Sequence, residues 1–281
     1  MKWIRDYIIL IQTPDGDTLE VKPPFSAHFD VTRNTLASTN SCSLTLNNLS
    51  RSIRNRIFKD RYSITEYWQI VILAGYKKLE TVFQGNILQS QSHKSGVDWI
   101  TQIEAFDGLY GVQNGVVAQT VSAGTSFGEV FGNVINTMPN MLSGLFGGKA
   151  NETTGERGQV LLGQSSGVLG DLTDGNYFID NETVNILNQD EVIATQVLLL
   201  DEKQLFTSPK RQDTNLDVEI LFLPQVRVGF MVEIRSVEEI YNGQYKAIGF
   251  KHSVDVLSSS SGSAKTTLTL YAGAQGLQEV G

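Results

Sequence analysis

The sequence predicts a mainly β protein with a small α+β part, in which two antiparallel β-barrel domains flank an inserted mixed domain. Short runs rich in Val, Ile, Leu, Thr and Tyr recur at both ends of the chain, separated by glycine-rich turns. Helical spacing replaces this pattern in the middle, and the two ends echo each other. We expect a first barrel domain over 1–112 with a short helix at 50–60, a mixed domain over 113–190 and a second barrel domain over 191–281.

Strand signals are dense in the first domain. Pro14-Asp15-Gly16-Asp17 is a strong turn signal and predicts an opening hairpin. Further strands are predicted in "AHFDVTRNT", "CSLTLNNL", "YWQIVILAGY" and twice within "LETVFQGNILQSQSHKSGVDWITQIEAFDG". In the last of these strands, alternation directs Ile103 and Ala105 to the barrel interior and Glu104 away from it. Asp107-Gly108 is expected to turn the chain out of the domain.

The segment "LSRSIRNRIFKD" has helical rather than strand spacing. Ser50 is the expected N-cap, and the arginines are expected to face outward. The predicted apolar stripe consists of Leu49, Ile53, Ile57 and Phe58. We therefore predict a short amphipathic helix between two strands of the first domain.

The middle of the chain mixes helix and strand signals. "TSFGEVFGNVINTM" has apolar residues at helical spacing, with Thr125 or Ser126 as the cap. The stretch that follows, including 141–148, is expected to be a loop, and "YFIDNETVNILN" a hairpin with an Asp-Asn turn. Strands return in "EVIATQVLLLD", "LDVEILFLP", "FMVEIRSV", "QYKAIGFKHSVDV" and "KTTLTLYAG", and the final "AQGLQEVG" is expected to trail off the surface.

An internal echo links the two ends of the chain. When Gly108 is aligned with Gly273, Thr101, Ile103, Ala105 and Phe106 align with Thr266, Leu268, Leu270 and Tyr271. Upstream, Ile70 to Phe83 and Val232 to Tyr245 both span 13 positions. The pattern indicates one β domain used twice, with the helix at 50–60 added to the first copy.

Composition and charge narrow the possible functions. The net charge of −8 makes the chain a poor nucleic-acid binder. Eight acids and no Lys or Arg lie within 171–202, whereas five bases and one acid lie within 51–61. The basic run is either a solvated helix face or a contact for an acidic partner. The single cysteine, Cys42, excludes an internal disulfide and is expected to be a small buried residue. We see no apolar stretch of membrane-spanning length.

Searches for cofactor and nucleophile motifs fail. "SGLFGGKA" departs from a phosphate-binding loop because Ser143 stands where a glycine is needed and Ala150 follows Lys149. "GQSSG" places Ser166 one position away from a nucleophile elbow. The three histidines, His28, His93 and His252, are too far apart in sequence to predict a metal site. We therefore predict no catalytic, cofactor-binding or metal-binding residues.

The acids of residues 83–108 include two possible catalytic pairs. Glu104 with Asp107, or Asp98 with Glu104, could in principle flank a sugar, and Trp68 and Trp99 could form a sugar platform. Strand alternation and Asp-Gly turn chemistry explain the same acids without catalysis. A carbohydrate-active protein that cleaves peptidoglycan or binds sugar on a β scaffold stays the alternative function.

Several segments resemble the baseplate hub proteins of contractile phage tails. In the first half these are "FDVTRNTLASTNSCSLTLNNLSRSIRNRIF", "VILAGYKKLETVFQGNI" and "DWITQIEAFDG". In the second half the run "LPQVRVGFMVEI", then "NGQYKAIGFKHSVDV" and "KTTLTLYAG", is similar to that family's second barrel. Both ends are covered by the resemblance, whereas 113–190 match by position alone.

The resemblance implies a structural, non-enzymatic virion protein with two tail-tube-like β-barrel domains. It implies a homotrimer that joins the sixfold tail tube, or its initiator, to the threefold central spike protein and lines the DNA channel. Tape-measure and baseplate wedge proteins are further candidate partners, and neither specific nucleic-acid binding nor stable membrane anchoring is expected. The acidic balance suits a channel that passes DNA without binding it, because a trimer would carry about −24.

Overall fold

The computed structural model of the chain describes residues 5–37, 40–256, 263–273 and 276–280, with the backbone alone at 194–196. Strands dominate these residues, and the four α-helices have only six to nine residues each. Most strand pairs are antiparallel. The prediction of a mainly β fold with a small α+β part is confirmed.

The first unit contains seven strands and one helix, in agreement with the sequence pattern. They are β1 (Asp6–Gln12), β2 (Thr18–Val21), β3 (Ala27–Asn34), β4 (Ser41–Asn47), α1 (Arg51–Arg56), β5 (Gln69–Gly75), β6 (Leu79–Ser95) and β7 (Asp98–Phe106). Hydrogen bonding orders the strands as β3-β4-β7-β6-β5-β1-β2. In β7, Ile103 and Ala105 are buried and Glu104 is exposed, as the alternation predicts.

Helix α1 is shorter than predicted. The side chain of Ser50 caps it by accepting a hydrogen bond from the N–H of Ile53, but the helix ends at Arg56. Lys59 instead forms an isolated β-bridge with Ser90 of β6. Phe58 therefore leaves the predicted apolar stripe and is 56% exposed. The local pattern determines the helix start, whereas a long-range strand contact determines its end.

The middle unit contains three helices and five strands around its own apolar cluster. They are α2 (Leu109–Asn114), β8 (Val116–Val121), α3 (Phe127–Ile135), β9 (Leu142–Phe146), β10 (Gln159–Gln164), α4 (Ser165–Thr173), β11 (Tyr177–Asp180) and β12 (Thr183–Ile186), with a 3₁₀-helix at Gly148–Asn151. Helix α3 and its Ser126 cap are confirmed.

Two features of the middle unit differ from the sequence prediction. The loop expected over 141–148 is wrong, because Leu142–Phe146 form a strand that pairs in parallel with β12. Helix α4 was not predicted, since its apolar face is narrow and four of its first six residues are Ser or Gly. The hairpin β11–β12 is confirmed, but Asn181 and Glu182 occupy the two turn positions with positive φ.

The last unit supplies the remaining strands. They are β13 (Glu191–Asp201), β14 (Lys210–Gln212), β15 (Asn215–Leu221), β16 (Phe230–Arg235), β17 (Gly243–Val256), β18 (Ala264–Tyr271) and β19 (Gln278–Val280), with a 3₁₀-helix at Glu239–Tyr241. The expectation of a trailing C-terminus is wrong at 278–280, where β19 pairs with β13. Strand β13 pairs in parallel with both β16 and β19, against the all-antiparallel prediction.

The first and last units have the same strand order. The order β3-β4-β7-β6-β5-β1 corresponds to β14-β15-β18-β17-β16-β13. Phe106 pairs with Ser41 and Tyr271 pairs with Asn215, so the predicted alignment of β7 with β18 is correct. The second predicted spacing is wrong by two residues. Val232 does pair with Tyr245, but Ile70 pairs with Gly85 rather than Phe83.

A ladder between β3 and β17 joins the two units into one fourteen-stranded sheet within the described residues. Apolar side chains from β1, β3, β4, β5 and β7 line one cluster, so the first seven strands curl around it. No ladder among the described residues closes that path from β2 back to β3. A second cluster lies between β13, β15, β16, β17 and β18.

The alternation in β7 generates a stability prediction. Ile103→Ala leaves a cavity in the first cluster, and we expect it to lower the free energy of unfolding by about 2–5 kcal/mol. The matched neighbour Glu104→Gln changes an exposed side chain and should alter it by no more than about 0.5 kcal/mol. Urea unfolding followed by tryptophan fluorescence measures both. Equal effects would contradict the assignment of the two faces.

Candidate functional site

The three units meet at a buried cluster of polar side chains. Arg33 lies on the inward face of β3 and is 1% exposed. Its Nη1 lies 3.3 Å from Oδ2 of Asp107, and its Nη2 donates to Oδ1 of Asn181 at 2.6 Å. It also forms an ion pair with Asp180. One guanidinium therefore contacts the end of the first unit and the hairpin of the middle unit.

The tip of the β11–β12 hairpin is built to contact Asp107. Asn181 and Glu182 have φ values of 53° and 61°, which directs both backbone N–H groups outward from the turn. These groups donate to Oδ2 and Oδ1 of Asp107, each at 2.7 Å. Asp107 is thus more than part of an Asp-Gly turn, because its carboxylate holds the middle unit against the first.

The side chain of Glu182 is inserted between strands of the first unit. Its Oε2 accepts from the amides of Gln69 and Gln84 at 2.9 and 2.8 Å, and its Oε1 accepts from Asn86 at 3.0 Å. Three neutral donors therefore satisfy a carboxylate that is only 5% exposed. The contact also fixes the position of the hairpin along β5 and β6.

Arg227 brings the last unit to the same place. Its Nη2 donates to the carbonyl of Thr81 at 2.6 Å, and its Nε lies 3.9 Å from Oδ2 of Asp180.

Burial lowers the pKa of Arg33 and raises that of Asp107, while each partner's charge acts in the opposite direction. Each of these side chains contacts a partner within the chain, although the buried Nε of Arg33 has no hydrogen-bond partner among the described residues. The contacts therefore favour a structural role for the cluster.

The face of the sheet opposite the apolar clusters is polar. In the central parts of β3, β4, β7, β15, β17 and β18, the outward residues are His28, Asp30, Thr32, Ser43, Thr45, Gln102, Glu104, Asp217, Glu219, Lys251, Ser253, Asp255, Lys265, Thr267 and Thr269. One row of this face runs across five strands by register, through Glu104, Ser43, Asp30, Ser253 and Lys265. The polar surface is therefore continuous across both units.

This polar face is rich in hydroxyl groups and carries five carboxylates against two lysines. His28 lies between two of the carboxylates, with Nδ1 at 2.6 Å from Asp255 and Nε2 at 3.6 Å from Asp30. Lys265 lies 3.2 Å from Glu219. A hydroxylated, weakly acidic surface of this kind repels a polyanion and gives it few cations to bind.

A groove of about 680 Å³ lies beside α1. It is lined by Arg51, Arg54, Asn55, Phe58, Ser92 and Trp99. The guanidinium of Arg54 lies 3.6 Å from the ring centroid of Trp99 and covers one of its faces. The predicted basic run thus forms one side of the groove. The opposite side is formed by Ser92 of β6 and Trp99 of β7.

The structure places the residues of the two possible catalytic pairs apart from each other. Glu104 is on the polar face, Asp107 is fully buried on the other side of the sheet, and Asp98 lies at the exposed start of β7, where it accepts from Asn48. Trp68 is buried and donates to Glu66. One face of Trp99 is covered by Arg54, so the proposed sugar platform does not assemble.

The cysteine and the histidines that were considered as nucleophile or metal ligands also lie apart from each other. Cys42 is buried, as predicted, and burial raises its pKa. His93 is exposed in the β6–β7 hairpin, whereas His252 is fully buried and bonds Thr266. No group of His, Cys, Asp and Glu suited to a metal ion is present in the part of the chain that the structure describes.

The motif candidates of the middle unit have local contacts. Lys149 pairs with Asp174 at 2.6 Å, and the backbone carbonyl of Ser166 accepts a hydrogen bond from the hydroxyl of Tyr177 at 3.2 Å. The acidic run of 171–202 is partly internal, because Glu182 and Glu191 are buried and accept backbone N–H bonds or amides. The run is therefore less of an exposed acidic surface than its composition indicates.

Sequence reasoning missed Arg33, although a signal was present. Phe29, Val31 and Arg33 follow each other at the inward positions of β3. An arginine at an inward position indicates a buried partner of opposite charge. The pattern could not identify the partner, because Asp107 and Asp180 are 74 and 147 positions away.

The sequence matches the baseplate hub gp41 family over residues 9–256, and the chain belongs to this family. It is a component of a virion tail baseplate. No curated protein matches the sequence. None of the helices in the described ranges is long and apolar enough to cross a membrane.

Solved structures with the same fold come from tail proteins and a related secretion apparatus. The 43 kDa tail protein of prophage MuSo2 from Shewanella oneidensis matches with a TM-score of 0.63 and 8% identity, over 94% of this chain and 96% of that one. A tail protein from Neisseria meningitidis MC58 matches with a TM-score of 0.58 and 11% identity, over the same shares. The E. coli c3393 protein, a component of the type VI secretion system, matches with a TM-score of 0.56 and 7% identity, over 90% and 75%.

The junction of the three units generates a second stability prediction. Asp107→Asn removes one of the two carboxylates that pair with the buried Arg33, and we expect the free energy of unfolding to fall by about 3–5 kcal/mol. Asp98→Asn, at an exposed carboxylate on the same strand, should change it by about 0.5 kcal/mol or less. Urea titration measures both variants. If they are equally stable, Asp107 does not hold the junction.

The buried His252 generates a pH prediction. Burial lowers the pKa of His252 well below 6.5, and Arg33 and Arg227 act in the same direction. Below about pH 6.5 the unfolded chain therefore binds a proton that the native protein does not bind. As the pH is lowered through this range, the stability of the native protein decreases.

Between pH 7 and pH 5 this histidine should lower the free energy of unfolding by about 2 kcal/mol. His252→Gln removes the contribution, so the stability difference between wild type and variant should shrink by that amount at pH 5. Urea unfolding of both proteins at the two pH values measures it. A difference that is independent of pH would show that His252 titrates normally in the native state.

Proposed function

We propose that the chain is a homotrimeric hub that adapts the sixfold tail tube to the threefold central spike. The observation that carries the proposal is the repeated strand order of the first and last units within one chain. Three chains with two equivalent units each present six similar units to a sixfold ring. The same three chains have true threefold symmetry elsewhere, because the middle unit and α1 have no counterpart in the repeat.

The polar face of the sheet is the proposed wall of the DNA channel. It is continuous across both units, so three copies could surround a lumen without apolar patches. Its excess of carboxylates over lysines favours passage of DNA over binding. The apolar clusters lie on the other side of the sheet, where the middle unit also packs.

The proposed domain division is 1–112, 113–190 and 191–281. Three apolar clusters support it, although Phe222, Val254, Val256 and Ala264 of the last segment pack into the first cluster. Central spike protein and tail tube or tube-initiator protein are the proposed partners at the two ends of the ring. Tape-measure and wedge proteins are proposed partners at its periphery.

A non-catalytic role is part of the proposal. Glu104 and Asp107 lie on opposite sides of the sheet, and Asp98 and Glu104 are six residues apart along β7, which is about 20 Å. Trp68 is buried, and one face of Trp99 is covered by arginine. These placements weigh against the carbohydrate-active alternative, for which the chain would need an acid pair beside an open aromatic face.

Light scattering coupled to size exclusion tests the assembly. We expect the purified chain to have three times its mass of 31.0 kDa, or to reach it when the spike protein is added. One spike trimer should then co-elute with one trimer of the chain. A chain that stays monomeric in the presence of both spike and tube proteins would contradict the proposal. Peptidoglycan cleavage by the wild type that is lost in Glu104→Gln would support the alternative.

A further inference from the structure

In the described part of the chain, one backbone ladder joins the two equivalent units, and it has a defined register. Strand β3 of the first unit pairs with Gly249–Val256, the outer half of β17 in the last unit. Thr32 pairs with Lys251, and Val31 pairs with His252. The contact is heterologous, since it joins the β3 edge of one unit to the β17 edge of the other.

Strand registers identify the counterparts of these residues in the other unit. Because Ser41 and Asn215 occupy equivalent positions, their partners Thr32 and Gln212 are equivalent as well. Lys251 pairs with Thr267, and Gln91 pairs with Gln102. Since Gln102 and Thr267 are equivalent in the aligned strands, Gln91 corresponds to Lys251.

Two further details support this equivalence. Each long strand has a bulge at the matching place, between Ile87 and Gln89 in β6 and between Ala247 and Gly249 in β17. Next to the bulge, each unit contains one side-chain bond between the paired strands. Ser92 bonds Thr101 at 2.9 Å, and His252 bonds Thr266 at 2.8 Å. The outer halves of β6 and β17 are therefore built alike.

Both counterparts of the internal contact are open in the single chain. Within the described residues, β14 has one neighbouring strand, β15, and its three residues are exposed. The outer half of β6 has an isolated bridge from Lys59 to Ser90 on that side. Because the backbone groups of Ser90 face Lys59, those of Ser92 and Lys94 face the same open edge.

We propose that β14 of one copy adds to the outer half of β6 in the next copy, in the register that pairs Gln212 with Gln91. Arg211 then lies opposite Ser92 and forms the hydrogen-bonded pair that Val31 forms with His252. This inference rests on the proposed homotrimer and specifies its interface. Around the ring, the β3–β17 contact within each chain then alternates with the proposed β14–β6 contact between neighbouring chains.

The groove beside α1 gives this strand room to enter. Ser92 and Trp99 line it, and it lies next to the open edge of β6. The occupant is inferred to be a second copy, because β14 of the chain provides the matching strand edge. The β3–β17 ladder already forms the equivalent contact within one chain. An acidic segment of another protein would match the charge of Arg51 and Arg54 but has no such counterpart in the chain, and it becomes an outcome of the test.

A designed disulfide tests the register. Gln212→Cys and Gln91→Cys are combined in a Cys42→Ala background, and the Cα atoms of such a non-hydrogen-bonded pair lie about 4.5 Å apart, within disulfide range. Both native side chains are exposed, so folding should be preserved. Thr32→Cys with Lys251→Cys in the same background is the matched control, since that pair is formed within one chain.

After mild oxidation of the full-length protein, we expect the Gln212/Gln91 variant to migrate in non-reducing gels as three linked chains. The Thr32/Lys251 control should migrate as one chain, and each single cysteine variant should form no trimer band. A light-scattering trimer without the three-chain band would overturn this interface and leave the proposed homotrimer standing. A monomer would overturn both, and a ladder beyond three chains would indicate open rather than closed association. Linkage to another tail protein in place of a second copy would also overturn the proposal.

Discussion

The buried contact between Arg33 and Asp107 is the constraint on which the arrangement of the units depends. A guanidinium and a carboxylate that are buried away from solvent need polar partners, and those of Arg33 and Asp107 come from the first unit and from the β11–β12 hairpin. Asp107 accepts two backbone N–H groups from the tip of the β11–β12 hairpin, and Asp180 lies between Arg33 and Arg227. Displacing any one unit would leave a buried charge unpaired.

Two kinds of contact hold the units of the chain together. The β3–β17 ladder joins them through the backbone, and Arg33 extends from the same strand into the junction below the sheet. Backbone pairing sets the register along the strands, while the charged cluster stops the middle unit from moving relative to them. The polar face on the other side of the sheet is consequently held as one continuous surface.

Duplication with local differences is the feature of the chain that supports the proposed adaptor role. The repeated strand order provides two similar edges, one of which is occupied within the chain and one of which is open. Helix α1 and the Lys59 bridge belong to the first unit, and the middle unit follows it in sequence. In the proposed trimer, near-sixfold similarity in the sheet would combine with threefold features around it, which is the geometry that the proposed junction between tube and spike requires.

The amino-acid sequence by itself determined the β class, nearly every strand of the first and last units, the cap of α3 and the inward direction of Ile103 and Ala105. These features follow from alternation, helical spacing and capping, which act over a few residues. Only the tertiary structure decided the parallel strands β9 and β13, the end of α1 at Arg56 and the partner of Arg33. Each of these depends on a group far away in sequence, and no local pattern specifies which distant residue will complete a ladder or neutralise a buried charge.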